Sequence, residues 1–174
     1  MRHPLEFVPQ NLRNPLFYVF LVLTLLIFGV FRVLDAPLRT TAAPSGIVSF
    51  ELAREPDTAH GIINSWDSTA LLFAAFGLGL DYLFMPAYAL ALSLGILLMM
   101  NGRSGWYPQL SAWMGWGIFA AALLDAVENY ALWIELSGTV VSPYPELAAF
   151  CASVKFALLV AGILTVIVGW FVKR

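Results

Sequence analysis

The chain has 174 residues, of which 60% are hydrophobic and 11% charged, with a formal net charge of −2. Soluble domains typically carry about 25% charged residues, so the composition excludes an ordinary water-soluble protein. The small net charge and the lack of a basic run exclude a nucleic-acid partner. Cys151 is the single cysteine and both histidines lie outside the apolar segments, which excludes an internal disulfide, a cysteine-rich metal site and a membrane haem held by two histidines. We expect no cofactor and no metal.

Four apolar stretches reach the roughly 20 residues that a helix needs to cross a bilayer. They cover residues 16–36, 68–100, 109–136 and 146–172. The first is longer than the apolar core of a signal peptide, so we expect an uncleaved anchor. Pro86 falls inside the second and predicts a kink there. The predicted fold is all-α, a four-transmembrane-helix bundle that forms one membrane domain over residues 1–174.

The only long connection covers residues 37–67 and joins the first two helices. Its apolar run 47–52 predicts either a strand or a segment lying on the membrane. Asp57, after Pro56, is a predicted N-cap for a short amphipathic helix. The apolar side of that helix would consist of Ala59, Ile62, Ile63 and Trp66. Two interpretations stay open, a helix resting on lipid and a lid over an outward-facing cavity.

The basic residues in the short flanks predict the orientation, because cytoplasmic loops carry an excess of Lys and Arg. Five lie on one side, namely Arg2, Arg13, Arg103, Lys173 and Arg174, and two on the other, Arg39 and Arg54. Both termini are therefore predicted to be cytoplasmic, with loop 37–67 outside a plasma or inner membrane. Aromatic belts are expected at the inner interface (Trp106, Tyr107, Trp170) and the outer one (Trp66, Trp133).

Four ionisable residues lie at bilayer depth, away from the ends of the apolar segments, where charges are costly and usually face the bundle interior or a cavity. They are Asp81, Asp125, Glu128 and Lys155. At about 1.5 Å rise per residue, all four lie between the bilayer centre and its outer surface. Stripes of small residues on the same helix faces indicate that these charges point inward. The predicted ligand-binding residues are Asp81, Tyr88, Asp125, Glu128, Asn129 and Lys155.

Three carboxylates and one lysine leave this acidic layer with an excess of negative charge. A retained proton, Arg32 or a cationic ligand could balance it. The alternative is a structural network, in which Lys155 pairs with Asp125 or Glu128 while Asp81 bonds to Asn129 or a tyrosine.

Three functions fit these observations. The first is a binding or transfer protein that holds a lipid or an amphipathic or cationic small molecule in the acidic pocket. The second is an accessory subunit whose partner is a membrane protein or another copy of the chain. The third is an acid–base enzyme acting on a lipophilic substrate, although no nucleophile–base pair is evident. The layout is similar to that of the sterol-isomerase and sigma-2-receptor group, whose small helical bundles keep acidic residues in an intramembrane pocket. This similarity is architectural and implies no residue-by-residue correspondence.

Overall fold

The computed structural model describes residues 1–172, so the predicted inner-flank residues Lys173 and Arg174 lie outside the described part. Six α-helices follow one another in this part. They are α1 Gln10–Leu34, α2 Ile47–Glu51, α3 Pro56–Asn64, α4 Ser68–Met100, α5 Tyr107–Leu136 and α6 Tyr144–Phe171. A single 3-10 turn, Ala36–Leu38, follows α1. The all-α prediction is confirmed for residues 1–172, where strands are absent.

The four long helices α1, α4, α5 and α6 are each long and apolar enough to cross a membrane. The prediction of a multi-pass membrane protein is confirmed as far as the length and apolarity of the helices test it. The ends of α4, α5 and α6 lie within two residues of those predicted, but α1 begins at Gln10 instead of residue 16. Hydrophobicity marks the part of a helix that lipid covers, whereas polar residues such as Arg13 extend α1 beyond it.

The chain divides into two compact units with opposite charge. The basic unit consists of Met1–Leu25, Met85–Leu123 and the described residues from Lys155 onward. Its described residues carry four Lys or Arg and a single carboxylate, Glu6. The acidic unit consists of Leu26–Phe84 and Leu124–Val154, and holds ten carboxylates against three arginines.

In the acidic unit, loop 37–67 folds over an apolar cluster that includes Leu38, Phe50 and Trp66. The Trp66 Nε1–H donates a 2.8 Å hydrogen bond to the Leu38 carbonyl oxygen. The Phe50 and Trp66 rings meet edge to face, with their centroids 5.4 Å apart. Trp66 is therefore a core residue with 5% exposure, and its ring does not lie at the protein surface as that of a belt residue would.

Residues 47–51 form the short helix α2 and not the strand that was one of the two predictions. The Asp35 Oδ1 atom accepts a 2.9 Å hydrogen bond from the Ile47 N–H, the first donor of α2. Gly46 enters the helix at φ +60° and ψ −130°. A carboxylate over the first N–H groups stabilises a helix start, which explains why this apolar stretch turns helical.

Helix α3 begins at Pro56, two residues earlier than the predicted N-cap Asp57 implies. Its N-cap is Glu55, in an extended conformation and without a side-chain cap bond, and Asp57 lies in the first turn. Proline is favoured at the first helical position because its missing N–H would be unpaired there. Ala59 and Ile62 of α3 are buried in the apolar cluster, so this side of the helix packs against protein.

In the basic unit, glycines allow close approach of the helices. A Cβ at Gly162 would lie 3.1 Å from Leu92 Cδ2, and one at Gly169 would lie 3.0 Å from Met99 Cβ. Tyr107, expected at the interface, is fully buried and donates a 2.8 Å hydrogen bond to the Thr165 carbonyl oxygen. The small-residue stripe of α6 thus marks a packing surface, as membrane helices commonly use.

Candidate functional site

Two of the predicted site residues, Asp81 of α4 and Asn129 of α5, are hydrogen-bonded to each other. The Asn129 Nδ2 group donates to Asp81 Oδ2 at 2.8 Å and to the Leu78 carbonyl oxygen at 3.3 Å. Asn129 is 2% exposed, and Asp81 is half-buried. Both N–H groups of the amide are therefore used inside the protein. What this pair offers to a ligand is acceptor oxygen, from the carboxylate and from the amide carbonyl.

Tyr82, the residue after Asp81, bridges the same two helices. Its hydroxyl donates a long hydrogen bond of 3.4 Å to the Ala126 carbonyl oxygen on α5. The tyrosine ring is 51% exposed, so it stands at the surface of the α4–α5 pair. The sequence predicted only that a tyrosine could bond to Asp81, and the structure places Tyr82 beside the Asp81–Asn129 pair.

Asp125 and Glu128 share α5 with Asn129 and are 3% and 0% exposed. Each takes part in at least one hydrogen bond, ion pair or electrostatic interaction. The spacing of three residues puts them on one side of the helix. The acidic unit therefore contains Asp81, Asp125, Glu128 and Asn129 of the predicted layer.

Tyr88 and Lys155, the other two predicted ligand-binding residues, belong to the basic unit. Both are buried, at 6% and 4% exposure. The Lys155 Nζ atom lies 4.8 Å from the centroid of the Phe156 ring, within the range of a cation–π interaction. Their participation in one network with the carboxylates stays a prediction.

An apolar groove runs between the parts of α4 and α5 that belong to the acidic unit. Its volume is about 410 Å³, within the range of about 300–1,000 Å³ that small-molecule sites occupy. The lining residues are Ser68, Leu71, Leu72, Ala75, Trp133, Leu136 and Ser137. Ala75 precedes Asp81 by six residues and Trp133 follows Asn129 by four, or about 9 Å and 6 Å along the helices. The groove therefore lies one to two turns from the Asp81–Asn129 pair.

Comparison with known proteins adds no assignment. No protein-family model, no curated protein and no solved structure matches this chain.

The structure also contains a buried carboxyl on α5 that is not among the predicted site residues. Glu135 is 1% exposed, and neither of its oxygens has a hydrogen-bond partner among residues 1–172. It follows Glu128 by seven residues, so both lie on the buried stripe of α5. That spacing was the available signal, because a residue two turns from a buried one shares its side of the helix.

The other charges of the acidic unit leave its carboxylates in excess. Arg39, near the start of loop 37–67, is paired with Asp35 at 3.0 Å. Arg32 is exposed near the end of α1, and Arg54 is exposed in the loop between α2 and α3. The parts of α4 and α5 in this unit contain acidic residues but no Lys, Arg or His. Within residues 1–172, no group of three or more His, Cys, Asp or Glu is arranged to hold a metal ion.

Proposed function

We propose that this protein binds an amphipathic small molecule or lipid within the membrane. The apolar part of the ligand would lie in the α4–α5 groove, and its polar end would reach the Asp81–Asn129 pair. One observation carries the proposal: the groove and the hydrogen-bonded polar pair occupy the same two helices, one to two turns apart. Binding sites typically combine an apolar lining with a few convergent polar groups.

The polar end of the ligand should be a hydrogen-bond donor, and an ammonium group fits best. Asn129 uses both of its N–H groups on Leu78 and Asp81, which leaves acceptor atoms to face a ligand. A carboxylate binds a charged donor through a charge-assisted hydrogen bond, the stronger kind. The excess of carboxylates in the acidic unit supports the same choice.

We infer from the five-to-two distribution of flanking basic residues that both termini are cytoplasmic. The groove would then open toward the outer leaflet of a plasma or inner membrane, because Ser68 and Ser137 lie at the helix ends next to loop 37–67 and the α5–α6 turn.

The test is a binding titration with purified protein in phosphatidylcholine nanodiscs. The probes are dodecylamine and its neutral analogue dodecanol, with empty nanodiscs as the blank. Ala75→Trp fills the groove and should weaken binding of both probes about tenfold or more, a loss of about 1.4 kcal/mol. Ala157→Trp places the same ring at an exposed position of α6 and should leave both affinities unchanged.

The polar end is tested by Asp81→Asn, which should reduce the affinity for dodecylamine but not for dodecanol. Asp57→Asn, at an exposed position of α3, removes the same charge outside the groove and serves as the control. If Ala75→Trp binds both probes as the unmodified protein does, the groove is not the binding site.

One observation favours a second function, that of an accessory subunit in a membrane complex. Helix α1 buries a single residue, Ile27, of its 25. Val22, Leu25 and Leu26 are among its exposed apolar side chains, and such a helix can pack against a partner. A photo-crosslinking amino acid at Val22 should form a protein adduct in native membranes if this holds. Adducts with lipid alone would contradict the subunit function.

A further inference from the structure

The segment before α1 is folded onto the basic unit. Leu5 is 6% exposed and packs in one apolar cluster with Leu94 and Leu97 of α4. On α5, the Trp116 Nε1–H donates a 3.2 Å hydrogen bond to the Arg2 carbonyl oxygen. His3 is the most deeply buried side chain of the segment, with 3% exposure. The segment 2–9 thus has contacts with both α4 and α5.

The His3 ring is held in one protonation form by its contacts. Its Nδ1 atom accepts a 3.2 Å hydrogen bond from the Leu5 N–H, so Nδ1 carries no proton and the neutral ring is protonated at Nε2. The Nε2 atom is buried and has no hydrogen-bond partner among the described residues. A buried donor without a partner weakens the state that contains it. The unpaired Nε2–H therefore makes docking of the segment less favourable.

Gly115 on α5 provides the space for this ring. A Cβ built at Gly115 would lie 2.6 Å from His3 Cδ2 and 2.9 Å from Pro4 Cδ. Real Cβ atoms essentially never come this close, so the ring and the proline rest directly on the helix surface. The fit leaves no room for the water shell that a charged imidazolium would need.

No negative charge on the surrounding elements compensates a protonated His3. The segment itself carries Arg2 and Glu6, both exposed. On α1, the Arg13 guanidinium donates to the carbonyl oxygens of Glu6 and Val8, each at 2.9 Å. The parts of α4 and α5 in this unit, residues 85–100 and 107–123, contain no Asp, Glu, Lys, Arg or His. Their titratable groups are the phenols Tyr88 and Tyr107, which are neutral in acid.

The remaining charged side chains in the described part of the basic unit are Arg103 and Lys155, both positive. Burial, and then the charge of Arg13, lower the pKa of His3 from its ordinary value of 6.5 to about 4. The geometry and the charges therefore act in the same direction.

We propose that residues 2–9 form a pH-sensitive latch, docked on α4 and α5 through the neutral His3 ring and released when that ring is protonated. Release exposes Gly115, Leu94 and Leu97, which the segment covers in the docked state. A ring with pKa about 4 when docked and near 6.5 when released binds protons more readily in the released state. Acidification from pH 8 to pH 5 should therefore raise the released-to-docked ratio about 30-fold. Because docking lowers the pKa of His3, docking is strongest above pH 6.5 and weakens as the pH falls toward 4.

The experiment is hydrogen–deuterium exchange of the full chain in nanodiscs, with protection factors for residues 2–9 corrected for the intrinsic effect of pH. The amides of Leu5, Glu6 and Val8 donate within this segment and report its docking. In the unmodified protein their protection should fall about 30-fold from pH 8 to pH 5. In His3→Gln the protection should not depend on pH, whatever its absolute level. His60→Gln removes the other histidine, exposed on α3, and should retain the pH dependence.

A second measurement needs no variant. The ring ¹⁵N chemical shifts of His3 should titrate well below pH 6.5 in the docked protein. A ring that titrates near 6.5, or protection of residues 2–9 that is equal at pH 8 and pH 5, overturns the proposal.

Discussion

Replacing Gly46 with alanine should destabilise the acidic unit through a clash with one identified carboxylate. Gly46 has φ +60° and ψ −130°, a region that L residues rarely occupy, and such a conformation costs about 1–3 kcal/mol. The new Cβ would also lie 2.6 Å from Asp35 Cγ and 2.8 Å from its Oδ2. The carboxylate must therefore move away from the Ile47 N–H, which loses a hydrogen bond worth about 1 kcal/mol. We expect a total loss of about 2–4 kcal/mol.

The second partner of Asp35 adds little to this sum. Arg39 donates to Asp35 Oδ2 at 3.0 Å, but its side chain is 47% exposed, and such surface ion pairs contribute at most about 1 kcal/mol. The hydrogen bond to Ile47 and the backbone conformation of Gly46 therefore dominate the expected effect.

The assay is thermal or denaturant unfolding in detergent, with Gly61→Ala as the matched control. Gly61 lies inside α3, and a Cβ added there would meet no neighbouring atom within 4 Å, so alanine at this position should stabilise by up to about 1 kcal/mol. The double variant Gly46→Ala with Asp35→Ala removes the clash and should be less unstable than the sum of the two single effects. Equal shifts for Gly46→Ala and Gly61→Ala would refute the argument.

Three further outcomes are expected. Trp66→Phe keeps the ring packing but removes the donor to the buried Leu38 carbonyl oxygen, so unfolding experiments should show a loss of about 1–3 kcal/mol; an unchanged stability would mean that water replaces the indole N–H. Glu135→Leu replaces a buried carboxyl that has no hydrogen-bond partner in residues 1–172 and should stabilise by about 1–3 kcal/mol in the same assay, whereas destabilisation would reveal a bound partner. Cysteine labelling should mark Ser45→Cys from outside the cell and Ser104→Cys only after permeabilisation, since both positions are exposed; the reverse pattern would invert the proposed topology.

Much of the fold could be predicted because a bilayer imposes a simple rule on length and apolarity. That rule located α4, α5 and α6 to within two residues. It failed at the start of α1, where the polar residues after Gln10 continue the helix beyond the apolar run. It also gave no information on loop 37–67, because a carboxylate twelve residues away in sequence, Asp35, starts α2.

In the candidate site, the polar residues at bilayer depth could be predicted from the sequence. The residues whose burial depends on side-chain packing could not. A bond from Asp81 to Asn129 or to a tyrosine was the alternative, structural interpretation, because polar groups at bilayer depth need partners, and the bond to Asn129 is present. His3 lies outside the apolar segments and Glu135 was not among the predicted site residues, yet both are buried. His3 is buried because Gly115 leaves space for its ring on α5, and Glu135 is buried because it lies on the inner side of that helix. A search for apolar runs examines neither feature.

The contact between His3 and Gly115 has a consequence for the order in which parts of the chain reach their native positions. The segment 2–9 is synthesised before α1, yet its contacts are with residues 94, 97, 115 and 116. Because chains emerge from the ribosome N-terminus first, roughly a hundred residues must be made and two more helices inserted before these contacts exist. Residues 2–9 are therefore translated before α1 but reach their native position only after α5 has been made.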